Sequence, residues 1–175
     1  WITDGGKLIL VAGSNSSFAD KKGFGLKEYA TEDVKKQVEK VEKEQAEKEG
    51  PLKYNEAERK ELSNSIFGAI YKVTLDKSHP LAFGLGDYYN SLRTNELHYT
   101  YLEKGWNVGI LKGKQKPLMG FAGAKINKKL ENTLVFGVED KGKGHVVYMV
   151  DNPMFRSFWE NGKMIFSNAV FIVGQ

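Results

Sequence analysis

Residues 142–175, GKGHVVYMVDNPMFRSFWENGKMIFSNAVFIVGQ, carry the clearest fold signal in the chain. The Gly-Lys-Gly start reads as a tight turn and 145–150 as an apolar strand. Asp151-Asn152-Pro153 reads as a second turn, and the remainder as an amphipathic helix. From about Pro153 that helix offers Phe155, Phe158, Trp159, Ile165, Phe166, Ala169, Val170 and Ile172, a broad apolar face of the kind that packs on a sheet. Just upstream, 134–138 is a second strand, and EDKGKG at 139–144 joins the two as a hairpin.

Working outward, KLILVA at 7–12 is a short continuous apolar run between a Gly-Gly turn and Gly13-Ser14-Asn15-Ser16-Ser17, the pattern of a buried parallel strand ending in a loop. Trp1 to Gly6 reads as the last turn of a helix ending in glycines, so the expectation is an excised piece of a longer polypeptide. Residues 31–50 read as a charged helix with three i,i+4 Glu/Lys pairs and a thin Val34, Val38, Val41 stripe, expected as a surface insertion at about 31–54. A polar helix over 54–65 and a strand over 66–76 follow; 81–89 reads as a packed loop, 100–111 as one or two short strands, and 120–130 as a short helix. The whole, 1–175, is expected to be a single α/β domain with a mainly parallel sheet and an antiparallel edge hairpin.

Composition removes several chemistries. There is no cysteine, hence no disulfide, thiolate metal site or cysteine nucleophile. The net charge of +4 rests on 26 basic residues of which only Arg59, Arg93 and Arg156 are arginine, so a solvated lysine surface is expected and nucleic acid is not. No run of about 18 apolar residues is present to span a membrane. His79, His98 and His145 have no second histidine or carboxylate at ligand spacing, so no metal site is expected. At the end of the first strand a nucleophile elbow would place its reactive side chain at Asn15, and an amide cannot attack. Ser14 or Ser16 remain as candidates only with a base such as His79 in reach.

WITDGGKLILVAG, the SHPLAFGLG segment and 142–175 together resemble the C-terminal domain of bacterial zinc carboxypeptidase family (carboxypeptidase A-like) proteins, in which a class I glutamine amidotransferase-like, flavodoxin-like domain follows the peptidase. The resemblance implies a three-layer α/β sandwich and a non-catalytic accessory domain. It also implies a periplasmic or secreted location, with the protein's own peptidase domain and its peptide substrate as partners. Zinc is implied only in that upstream peptidase, because its His-x-x-Glu motif has no match here. No cofactor is implied in this chain, and the amidotransferase cysteine is replaced by Asn15.

Overall fold

The computed structural model describes residues 1–29 and 54–175; the charged helix expected within 31–54 lies outside them. Among the described residues, seven strands form one sheet: β1 (Lys7–Val11), β2 (Ile66–Leu75), β3 (Tyr88–Arg93), β4 (Trp106–Leu111), β5 (Met119–Ala122), β6 (Thr133–Lys141) and β7 (Gly144–Met149). Their order is β1-β7-β6-β4-β2-β3, with β5 paired to β2. The helices are α1 (Tyr54–Asn64), α2 (Ala124–Lys129) and α3 (Glu160–Phe171).

The expected flavodoxin-like, mainly parallel three-layer sandwich is not what forms. Only β1 and β7 are parallel; every other pairing is antiparallel, in a curled mixed sheet with few helices. The connections explain this, because a parallel step needs a crossover of a dozen or more residues, commonly a helix. The β6 to β7 link is only Gly142-Lys143, which permits nothing but a hairpin. The apolar runs that suggested parallel strands have another cause. Val147 and Met149 pack with Ile165, Ala169 and Val173 of the α3 side, while Val146, Tyr148 and Val150 pack with Leu10, Leu26 and Leu102 on the opposite face. A strand covered on both faces is apolar throughout, whatever its direction.

Other expectations are corrected locally. β3 starts inside the stretch read as a loop, and β5 runs into the start of the one read as a helix. The terminal helix begins later than Pro153, since Arg156 and Ser157 adopt φ of 48° and 57°, outside the right-handed helical region. α3 therefore starts at Glu160 and buries Ile165 and Ala169, but leaves Val170 at the surface.

Candidate functional site

β1 ends at Val11 and the chain turns at once through a 3-10 helix, Ala12–Ser17. Ala12, with φ 49°, takes the sharp first step. Ser14 closes the strand end: its Oγ accepts from the Val11 N–H at 2.7 Å and donates to the Val11 carbonyl at 2.8 Å. Asn15 is fully buried and donates from Nδ2 to the carbonyls of Ala12 at 2.9 Å and Met149 at 2.8 Å, tying the turn to the end of β7. Ser16 donates to the Gly13 carbonyl at 2.8 Å. Both hydroxyl protons are engaged by backbone oxygens.

His79 lies elsewhere. It precedes a short 3-10 turn, Pro80–Ala82, where its Nδ1 accepts from the Leu81 N–H at 3.0 Å. Its ring stands 6.1 Å from that of Trp106, whose Nε1 donates to Asp140 Oδ2 at 3.3 Å. Asp140 Oδ1 in turn pairs with His145 Nδ1 at 2.8 Å. Burial holds His79 below the ordinary histidine range, a shift that Asp76 and Asp140 only partly oppose. The β1–β7 register fixes the separation, for Lys7 faces His145 at one end and Val11 faces Met149 at the other. At about 3.3 Å per residue this is about 13 Å. Three successive antiparallel pairings, β7 to β6 to β4 to β2, make β2 run opposite to β1. The loop after β2 that bears His79 is consequently at the opposite end of the sheet, beside Trp106. Ser14 and Ser16 are not brought to His79, and the serine–histidine candidate is not assembled.

The sheet end that holds the turn carries a polar cluster that sequence reading missed. Ser91 and Arg93 of β3, and Asp151 just after β7, are all buried. Ser91 Oγ donates to Asp151 Oδ2 at 2.5 Å, and Arg93 Nε stands 3.3 Å from Asp151 Oδ1. Arg93 Nη2 donates to the Leu97 carbonyl. Burial pushes the Asp151 carboxyl above the ordinary range, opposed by Arg93 and Ser91, as expected for a charge removed from water. The only sequence signal was the place of Asp151 at the head of the Asp-Asn-Pro turn. Trp159 lies nearby, its Nε1 donating to the Asn90 carbonyl at 2.8 Å.

The opposite end offers an open cleft of about 430 Å³ lined by Lys104, Gly105, Trp106, Glu139, Asp140 and Lys141. Trp106 is 54% exposed and held in orientation by Asp140, so it presents a fixed aromatic surface beside charged groups. Hydrogen bonds and an ion pair tie the cleft floor together. Glu139 Oε2 accepts from Tyr148 OH at 2.7 Å and from the Gly25 N–H at 2.9 Å, while Lys141 Nζ pairs with its Oε1 at 2.5 Å. Such a surface can stack a ring or an apolar side chain and hydrogen-bond a polar neighbour. His98, the third histidine, sits apart against the Glu96 carbonyl at 2.7 Å.

Among family models, curated proteins and solved structures, nothing matches this chain.

Proposed function

We propose that this chain is a non-catalytic accessory module of an exported zinc carboxypeptidase family protein, supporting the peptidase domain or its hold on peptide substrate. The observation that carries the reading is the turn after β1. There Asn15 is buried and spends its amide joining β1 to β7. The flanking serines donate to backbone carbonyls. A side chain used in this way stabilises the sheet and is not free to attack. Within the stretch on which the resemblance rests, β7 pairs with β1, and Ile165, Ala169 and Val173 share a core with Val147 and Met149. The cleft at Trp106 is the place where this reading puts contact with peptide.

Reconstitution tests the proposal. The folded chain alone should neither bind zinc stoichiometrically nor hydrolyse peptides. Added to a carboxypeptidase A-like domain from the same polypeptide, it should raise that domain's thermal midpoint or lower its KM for peptide. Zinc-dependent hydrolysis by the isolated chain overturns the reading.

A further inference from the structure

The positive charge of this protein is concentrated. Six lysines (112, 114, 116, 125, 128 and 129) lie between residues 112 and 130, a span with no Asp or Glu, so the other 156 residues together are net −2 against a total of +4. All six are exposed. The same span carries protruding apolar side chains: Leu118, Met119 and Phe121 are 56%, 69% and 49% exposed. Phe67, 69% exposed, stands beside Phe121 with ring centroids 6.0 Å apart.

This face has a fixed shape. Gln115 Nε2 donates to the carbonyls of Lys112 at 2.9 Å and Gly113 at 3.1 Å, and the Gly113 N–H donates to Asn132 Oδ1 at 2.9 Å. The Leu118 N–H donates to the Ile70 carbonyl at 2.7 Å. Asn127 of α2 donates from Nδ2 to the Gln115 carbonyl at 2.6 Å while its Oδ1 accepts from Tyr71 OH at 2.9 Å. The lysine loop before β5 and the lysine-bearing helix α2 are therefore tied together, and the exposed Leu118, Met119 and Phe121 lie in the same span as the six exposed lysines.

The chemistry selects among anions. Lysine is depleted at protein–protein interfaces, which favour arginine and aromatic anchors in a flat core. The span has no arginine, so forked contacts to nucleic-acid phosphates or bases are not available from it. Flexible lysines around protruding Leu, Met and Phe suit a lipid interface, where the ammonium groups meet phosphates and the apolar groups enter the boundary between headgroups and chains. We propose that the 112–130 face, with Phe67, docks on an anionic phospholipid surface. This inference does not depend on the accessory role.

Co-sedimentation of the full folded chain with vesicles tests it. Binding is expected to mixed phosphatidylglycerol–phosphatidylcholine vesicles and not to pure phosphatidylcholine, and should weaken as salt is raised. Lys114→Gln with Lys116→Gln should lower partitioning at least about ten-fold, since each lysine near an anionic surface is worth about five-fold. Leu118→Ser with Met119→Ser should lower it at unchanged net charge. All four positions are exposed, and a thermal melt matching the parent verifies folding of each variant. Absence of binding to the anionic vesicles overturns the proposal, as does binding that both pairs of substitutions leave intact. Binding to heparin or polyglutamate without binding to vesicles also overturns it, and assigns the face to a soluble polyanion.

Discussion

Asn15 illustrates how a residue in a suggestive position can serve architecture. Its amide bridges the ends of two parallel strands from a fully buried site, so Asn15→Ala leaves the Met149 carbonyl without this donor. The expected loss is about 1–3 kcal/mol, read as a lower urea midpoint at unchanged m-value. Arg93 carries more. Arg93→Met leaves Asp151 as a buried carboxyl without its cation, and a loss of about 3–5 kcal/mol is expected; Ser91→Ala, which removes one hydrogen bond, should cost about 1 kcal/mol. The histidines set a pH dependence. His79 and His98 are both held below the ordinary value of 6.5 by burial, so the unfolded chain binds protons more readily than the folded one. Their contribution to stability is complete above about 6.5 and is lost as pH falls from there through the folded values. His79→Asn keeps an acceptor for the Leu81 N–H and removes one of the two titrations. Its stability measured by urea titration should fall less steeply on acidification than that of the parent, and an unchanged slope would contradict the assignment.

At the scale of elements, the strands most legible from sequence were the continuous apolar runs, of which β7 is buried on both faces and β1 only at Leu10. KLILV of β1 and GHVVYM of β7 announce themselves by continuous apolarity. Direction was not legible, because burial of both faces produces the same run in an antiparallel strand, as in β6, where seven consecutive residues from Thr133 to Glu139 are buried. β3 and β5 were missed for a different reason. The glycines at 84 and 86 read as a packed loop, and YYNSLR has polar residues facing the core side, including Ser91 and Arg93, which are buried only because Asp151 receives them. MGFA of β5 is too short and exposed to carry a pattern of its own. The start of α3 was set too early because the apolar periodicity runs on through Phe155 and Phe158, while the backbone reverses at Arg156 and Ser157. Gly162, in the first turn of α3, allows the helix to approach that corner. A Cβ there would collide with the Pro153 carbonyl oxygen. Gly162→Ala should therefore lower the melting temperature even though alanine favours helix by about 1 kcal/mol elsewhere, and a rise in melting temperature would contradict this packing.

Over the whole molecule, the candidate site was legible in part. The turn after β1 was legible because a small-residue loop after an apolar run has a recognisable form, and the structure places Asn15 in that turn as a buried link between β1 and β7. Its distance from His79 was not legible, since it depends on β2 running opposite to β1 through three antiparallel pairings that no local pattern encodes. The polar cluster and the Trp106 cleft were hidden for the same reason: Arg93 with Asp151, and Trp106 with Asp140, meet only across strands. The fold thus separates the groups that a serine hydrolase would need to bring together, and uses the candidate serines to finish β1 and its turn. The most direct test is the intact mass of the folded chain after exposure to a fluorophosphonate probe. The account predicts an unmodified mass, with Ser14 and Ser16 unlabelled. A stoichiometric adduct mapped to either serine, and lost in His79→Ala, would contradict it.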